Sequence, residues 1–417
     1  MEGLEKAKQI LEKYNQEHLL NCFEKLSEEN KQKLINQILT IDFNQILSLY
    51  EATKKKVDFG EGKIEPISYI DKSKLSEEEL KTYEGIGAEV INKGKYAVVT
   101  MAGGQGTRLG YTAPKGTFEI GGGCNKSLFE ALSDTIKEAQ ELYNTQIPWY
   151  VMTSRENNDA TVEFFEKNNY FGLNKNNVIF FKQGELPMID TAGKILLDEN
   201  GIIKEAADGH GGVFEAMTKN HILEDMKNRG IDWIFISGVD NVLAGLVDPV
   251  ATGLAIKNNM NATGKSVVKA NPKERVGVFC KKNNRPYVIE YTEITDEMAE
   301  AVDENGELLY GETHLLCNLF NRKALEEIGK NKLKYHSAFK KAKYINEDGK
   351  LIEPTSPNAY KFEAFIFDAF ERLDNMVILR VKREDEFAPL KNASGVDSPE
   401  TARALYFNYI KNKKKNK

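Results

Sequence analysis

The residues best suited to chemistry stand together at Met101-Ala102-Gly103-Gly104-Gln105-Gly106-Thr107-Arg108-Leu109-Gly110, with Pro114-Lys115-Gly116 close behind. Glycines lack a Cβ, so their backbone N–H groups can come close to an anion. Arg108 and Lys115 add the fixed charge that a polyphosphate needs. The apolar run Tyr96 to Thr100 leads straight into this loop. A buried strand therefore delivers a glycine-rich turn and then two cations, which reads as a cradle for a nucleoside triphosphate. Two other phosphate loops do not fit. A P-loop reads G-x-x-x-x-G-K-[ST], but here Gly104 and Gly110 are six apart and Tyr111 follows Gly110. A dinucleotide fingerprint reads G-x-G-x-x-G; Gly104-Gln105-Gly106 opens it, and Leu109 then occupies the place of the third glycine. A bare βα turn with incidental charge is the remaining alternative. Three glycines with Thr107-Arg108 and Pro114-Lys115 at this spacing argue against it.

Further polar clusters follow apolar runs. Gln183, after Phe180-Phe181-Lys182, carries a carboxamide that can donate and accept at once. That suits the imide N–H of uracil, flanked by two carbonyls, and equally suits a solvated turn. Asp208-Gly209-His210-Gly211-Gly212 leads into a helical pattern at Val213. Its glycines leave a surface that a flat base or an anion can approach, and His210 can donate to a phosphate or a sugar hydroxyl. The run Phe235-Ile236 ends in Ser237-Gly238-Val239-Asp240-Asn241. Asp240 there suits Mg²⁺, which takes few protein oxygens and completes its shell with phosphates; the alternative is a helix cap. A D-x-D pair, common in glycosyltransferases, is absent. Glu290 and Asn318 stand near the ends of apolar runs and suit the hydroxyl and acetamido groups of a sugar. Lys361 and Lys391 complete the set, although a lysine alone says little.

These residues need a scaffold, and the chain has the material for one. It has 417 residues, 41% hydrophobic and 29% charged, an ordinary globular composition that predicts two or three domains. A net charge of −6 gives no reason to expect nucleic acid as a partner, and the lysine-rich end from Lys411 to Lys417 reads as a solvated tail. Cys22, Cys124, Cys280 and Cys317 are scattered, without a C-x-x-C pair, which fits a reducing cytoplasm rather than zinc or disulfides. The N-terminus lacks a signal-peptide core, and no apolar run reaches the length of about 18 residues that a membrane helix needs. A soluble cytoplasmic protein, monomer or dimer, is expected.

Helical periodicity marks the first 55 or so residues: Leu4, Ala7, Ile10, Leu11 and Tyr14 share a face, and Ser27 is placed to cap a helix carrying Leu34, Ile35 and Ile38. Residues 57–75 look irregular, and Ser76 to Glu79 form a capping box. From Lys95 on, apolar runs at 96–101, 147–153, 178–182, 232–239, 266–270 and 376–381 alternate with helical patterns at 126–144, 156–168 and 213–228. Such alternation predicts an α/β fold with a mainly parallel sheet, whose ligands bind at the carboxyl ends of the strands. The stripe 362, 365, 366, 369, 370 and 373 predicts a core-facing helix over Tyr360 to Leu373, and Ser398-Pro399-Glu400 opens a last helix. The expected division is an N-terminal helical domain over 1–92, a catalytic domain over 93–391, and a C-terminal helix with its tail over 392–417.

In order along the chain, these blocks resemble the UDP-sugar pyrophosphorylases, and best the branch acting on UDP-N-acetylhexosamines. The resemblance is carried by the loop Ala102–Lys115, Gln183-Gly184-Glu185-Leu186-Pro187, Val239-Asp240-Asn241, Val288–Glu293, Cys317-Asn318-Leu319-Phe320, Lys361–Phe370 and, most distinctively, Arg383-Glu384-Asp385-Glu386-Phe387-Ala388-Pro389-Leu390-Lys391-Asn392. It implies a Rossmann-like, GT-A-like nucleotidyltransferase sheet, mixed but mainly parallel and flanked by helices, behind an N-terminal helical segment. It also implies UTP and a sugar 1-phosphate as substrates, Mg²⁺ as cofactor, and UDP-sugar and pyrophosphate as products. Ala102, Gly103, Gly104, Gly106, Gln183 and Gly209 would hold the uridine nucleotide. Arg108 and Lys115 would hold its phosphates, and Asp240 the metal. Glu290, Asn318 and His210 would face the sugar, while Lys361 and Lys391 would neutralise phosphate oxygens. Two departures matter. The N-acetylhexosamine branch usually has Asn at the position of His210, and a Gly-His-Gly string looks more like enzymes of UDP-glucose or of broad specificity. The chain also ends soon after the Lys391 block, so the small C-terminal β domain of eukaryotic members is expected to be missing or reduced to one helix. A non-catalytic nucleotide-sugar sensor is the alternative of another class, and release of pyrophosphate separates it from an enzyme.

Overall fold

The protein is described here by a computed structural model covering residues 2–55, 62–121 and 124–415. The chain divides into two compact units, one of residues 1–60, 184–212 and 333–365, the other of residues 61–183, 213–332 and 366–417.

The larger unit is built on one twisted sheet. Its strands include β1 (Ile70–Asp71), β2 (Tyr96–Met101), β3 (Trp149–Thr153), β4 (Val178–Lys182), β5 (Trp233–Gly238), β6 (Ala262–Val268), β7 (Val278–Lys282), β8 (Arg285–Ile289), β9 (Glu312–Asn321) and β10 (Val377–Arg380), and Ile64–Pro66 pairs with β7 at its edge. The main path runs β1-β10-β6-β9-β5-β2-β3-β4. All its pairings are parallel except those of β9, which runs antiparallel between β5 and β6. Every residue of β2, β3 and β5 is buried, as expected for strands covered by helices on both faces. The register sets Met101 opposite both Gly238 and Met152, and Thr153 opposite Lys182. Four parallel strands therefore end level, and four loops leave from one edge.

The capping box at Ser76 and Glu79 is present, and the helix Leu128–Tyr143 starts from Ser127, whose Oγ accepts from the Glu130 N–H. The last helix, Pro399–Lys415, starts from Ser398. Cys22, Cys280 and Cys317 are free and buried, and burial pushes the Cys280 and Cys317 thiols up to about 12, so both stay protonated and inert. The side chain of Cys124 lies outside the described residues.

In the smaller unit, the helices Glu2–Lys13, Glu28–Thr40 and Phe43–Thr53 cover the strand segments around 185–207 and 336–363. Ala7, Leu11, Leu34, Ile38 and Ile46 bury against Ile189, Ile195, Leu197 and Phe362. Two glutamines clamp the backbone they cover. Gln16 donates to the Gly193 carbonyl and accepts from the Ile195 N–H, at 2.8 and 2.9 Å, and Gln37 treats Ile203 in the same way at 3.0 and 2.9 Å.

Three expectations need correction. Tyr360 to Leu373 is not one helix: Ala359–Glu363 is a strand pairing with His336–Lys340 and with Ile189-Asp190, and only Ile366–Arg372 is helical, as a 3₁₀ turn. The apolar stripe fits a helix from 365 onward, but Phe362 is buried from an extended backbone held by two neighbours, so pairing overrides periodicity. The helical pattern over 213–228 is interrupted at His221, whose φ of +58° separates Val213–Lys219 from Ile222–Asn228. The stretch 57–75 contains the short strands Ile64–Pro66 and Ile70–Asp71, and its residues 57–61 lie outside those described.

Candidate active site

At the end of β2 the chain turns into the glycine loop and folds it shut. The N–H groups of Gly106 and Lys115 donate to the carbonyls of Ala113 and Gly104, at 3.2 and 3.1 Å, so Lys115 returns to the start of the loop. Ala102, just past β2, donates to the Met152 carbonyl at 2.7 Å. Among the described residues, the N–H groups of Gly103, Gly104 and Gln105 donate to no backbone carbonyl. They form the kind of open N–H row that takes an anion.

Gln183, directly after β4, lies against this row. A Cβ on Gly103 would stand 2.6 Å from both Nε2 and Oε1 of Gln183, so only glycine admits the carboxamide there. A Cβ on Gly104 would meet nothing within 4 Å. The loop is thus packed on the Gln183 side and open at Gly104, and Gly106 closes it by packing on Tyr111. Arg108 is exposed and makes no hydrogen bond or ion pair with the described residues.

The loop after β5 carries Asp240. Its carboxylate is 3.5 Å from the Lys115 ammonium, and both side chains are partly exposed. Its carbonyl accepts from the Leu390 N–H at 2.9 Å, which fixes Lys391 one residue away. Asn241 strengthens the tie, with Nδ2 donating to the Glu386 carbonyl at 2.7 Å and Oδ1 accepting from the Ala388 N–H at 2.9 Å. Arg108, Lys115, Asp240 and Lys391 are all carried by this unit. Among the described residues, no group of three or more acidic, His or Cys side chains could hold a metal. Asp240 alone, partly exposed beside a single cation, fits a hard ion that takes most of its ligands from phosphates and water.

Glu290 and Asn318 belong to the same unit. Glu290 follows β8, and its Oε1 would lie 3.4 Å from a Cβ on Gly277, whose carbonyl accepts from the His314 N–H at 2.9 Å. Asn318 lies on β9 opposite Ile236 of β5, and its Oδ1 is 3.2 Å from Nε2 of His314. The sheet therefore brings both candidates to the segment around Gly277 and His314.

Gly209, His210 and Lys361 belong to the smaller unit. Gly209 has φ +87°, and a Cβ there would stand 2.3 Å from the Ala364 carbonyl oxygen. Bonds of 2.7 Å from the Ala364 N–H to the Asp208 carbonyl, and of 2.8 Å from the Gly211 N–H to the Ala364 carbonyl, join this loop to the strand of Lys361. The His210 ring stands 5.4 Å from that of Phe365, and Lys361 is paired with Glu363 at 2.7 Å.

Sequence reasoning missed Asn157 and His314. Asn157 is fully buried; its Nδ2 donates to the carbonyls of Ala102 at 2.9 Å and Gly104 at 3.4 Å, and its Oδ1 accepts from the Ser154 N–H at 2.8 Å. It draws the loop carbonyls inward and so leaves the N–H edge for a ligand. The available signal was its place, four residues past the end of β3, where a polar cluster follows an apolar run. Asn157→Ala is expected to leave those groups unpaired, to cost about 1–3 kcal/mol of stability and to weaken binding of a polyphosphate at the loop. Urea unfolding with a titration of inorganic triphosphate checks both, and unchanged binding would remove Asn157 from the loop's support.

The match to known proteins agrees with this geometry. The family described as UTP–glucose-1-phosphate uridylyltransferase matches residues 41–399. The chain is 38% identical over 410 residues to a probable UDP-N-acetylglucosamine pyrophosphorylase of Dictyostelium discoideum, covering 93% of this chain and 84% of the relative. It is 37% identical over 428 residues to the UDP-N-acetylglucosamine pyrophosphorylase of Saccharomyces cerevisiae, covering 96% and 89%. Its structure is similar to the crystal structure of the uridine diphosphate N-acetylglucosamine pyrophosphorylase of Trypanosoma brucei in complex with an inhibitor, with a TM-score of 0.82, 32% identity, and 97% and 84% of the two chains covered. Strand order, glycine loop and relatives converge, and the chain belongs to the UTP–glucose-1-phosphate uridylyltransferase family.

Proposed function

We propose that this protein is a uridylyltransferase that converts UTP and N-acetylglucosamine 1-phosphate to UDP-N-acetylglucosamine and pyrophosphate. The observation that carries the reading is identity of 37–38% over more than nine-tenths of the chain to relatives named for that sugar nucleotide. The open N–H row of the glycine loop, the Lys115–Asp240 pair beside it and the backbone bond from Leu390 to Asp240 that holds the Lys391 loop there support the chemistry.

In this reading Gly103, Gly104 and Gln183 take the uridine nucleotide, Gln183 pairing with the uracil edge. Arg108 and Lys115 draw charge from the phosphates. A phosphate oxygen of the sugar phosphate attacks the α-phosphorus, and pyrophosphate leaves in line. No general base is needed, because a sugar phosphate is already ionised near neutral pH. The work is alignment and charge neutralisation between two anions, and Lys391 would meet the incoming phosphate. Asp240 would hold Mg²⁺, which supplies further neutralisation of phosphate oxygens when bound. Glu290 and Asn318 face the sugar. Gly209, His210 and Lys361 are assigned to the same substrates. Among the described residues no helix is long and apolar enough to cross a membrane, and a cytoplasmic site of action suits the buried, free cysteines.

Glucose 1-phosphate is the competing acceptor, favoured by His210 in its Gly-His-Gly setting. Pyrophosphate release from UTP with N-acetylglucosamine, N-acetylgalactosamine, glucose and galactose 1-phosphates, with and without Mg²⁺, separates the readings. N-acetylglucosamine 1-phosphate is expected to give the highest kcat/KM, with activity abolished by chelation and restored by Mg²⁺. Turnover of glucose or galactose phosphates alone would overturn the assignment, and no pyrophosphate from any of the four would favour a sensor.

A further inference from the structure

Asn318 is fully buried, and its carboxamide is only half engaged. Oδ1 lies 3.2 Å from Nε2 of His314, four residues back on β9 and so on the same face of the sheet. Nδ2 is buried and has no hydrogen-bond partner among the described residues. The two ends of a carboxamide differ in chemistry, and the neighbour that holds one end decides which end is left for a ligand. Held through Oδ1 by an imidazole N–H, Asn318 offers donors; held through Nδ2 by a bare imidazole nitrogen, it would offer an acceptor. The imidazole is itself fixed. Its ring stands nearly perpendicular to those of Phe279, Phe367 and Phe370, at centroid distances of 4.9, 6.0 and 5.6 Å, and its backbone N–H is bonded to the Gly277 carbonyl.

The two acceptor sugars differ at carbon 2. An acetamido group presents a carbonyl that accepts only, whereas a hydroxyl donates or accepts and tolerates either end of Asn318. We infer that His314 is a positioning residue that turns the Asn318 carboxamide so that its N–H donors face the substrate, and that this polarity selects a 2-acetamido sugar phosphate over a 2-hydroxy one. The inference rests on the reading of Asn318 as a sugar contact.

His314→Phe keeps an aromatic ring among the three phenylalanines and removes the N–H. It is expected to lower kcat/KM for N-acetylglucosamine 1-phosphate about 10- to 100-fold, through KM rather than kcat. The value for glucose 1-phosphate should change less than about 3-fold, and KM for UTP should not move. His314→Gln, which restores a donor, should recover most of the selectivity, and His314→Leu carries the same expectation as H314F should the ring not be accommodated. Asn318→Ala should lose the same selectivity, and H314F should add nothing on that background, because His314 acts through Asn318. An unchanged sugar ratio in H314F, or the same loss with and without Asn318, would overturn the inference while leaving the Asn318 contact standing. An unchanged ratio in N318A would instead remove the contact itself.

Discussion

Replacement of Lys391 by alanine is expected to lower kcat by about 10²- to 10³-fold, the loss typical of one preorganised charge or donor at a reacting centre, with the protein still folded. The argument starts from how the residue is held. Asn241 reaches the backbone at Glu386 and Ala388, the Asp240 carbonyl takes the Leu390 N–H, and the N–H groups of Lys391 and Asn392 go to the Asp397 carbonyl at 2.7 and 3.0 Å. All these ties are made by backbone or by other side chains. The Lys391 side chain itself is exposed and carries none of them, so its loss should move stability by no more than about 0.5 kcal/mol. What it loses is an exposed cation on the loop that Asp240 ties down through Leu390, which on the proposed reading neutralises the incoming sugar phosphate. The cost should fall on kcat, with KM for UTP nearly constant, and Lys391→Arg should recover part of it by keeping the charge. Wild-type turnover in K391A, or inactivity explained by a collapsed urea midpoint, would sink the role.

The loops of the candidate site were legible because a strand that ends in glycine, aspartate or glutamine leaves its mark in a few consecutive residues. Gly103, Gln183 and Asp240 each follow such a run, and parallel pairing then sets β2, β4 and β5 to end at one edge. Three things were not legible, for physical reasons. The N-terminal helices bury Ile189, Ile195 and Phe362, whose places in the chain are more than a hundred residues away; hydrophobic contacts carry no sequence address. Tyr360 to Leu373 changes from strand to 3₁₀ helix inside one apolar stripe, because hydrogen-bonding partners rather than periodicity fix the first half. Asn157 and His314 act on other polar groups, the carbonyls of Ala102 and Gly104 and the amide of Asn318. A residue that orients another has no motif of its own, and appears only when both ends of the bond are in place.

The second large effect lies behind the site. Lys265 of β6 is buried with its ammonium 2.7 Å from Asp248 Oδ2 and 2.6 Å from Glu386 Oε2, and 5.2 Å above the Phe235 ring. Asp248 also caps the helix Pro249–Lys257 through the Ala251 N–H, and Glu386 precedes the Lys391 loop. One cation therefore joins the segments that follow Asp240 and precede Lys391. Lys265→Met is expected to cost about 3–5 kcal/mol, because it strands the buried Asp248 and the partly buried Glu386 carboxylates rather than because it deletes an attraction. Adding Glu386→Gln should recover part of that. The pH dependence gives the sharper test. Burial pulls Asp248 upward, but the Lys265 and Lys72 charges and its hydrogen bonds win and hold it below the carboxylate range. Burial likewise opposes the charge on Lys265, and the two carboxylates hold it above its ordinary value. A depressed carboxylate stabilises above its unfolded pKa, near 4, and loses this as pH falls; a raised lysine stabilises below about 10.4 and loses this as pH rises. The triad should thus contribute fully across that interval. In K265M the ammonium no longer holds Asp248 down, so burial, opposed only by Lys72 and the Ala251 N–H, lets its pKa rise, and protonation on acidification then relieves the stranded charge. The stability gap between wild type and K265M should be widest near neutral pH and narrow below about pH 5. A gap that stays constant from pH 8 to pH 4.5 in urea titrations would mean that lost packing, and not uncompensated charge, sets the cost.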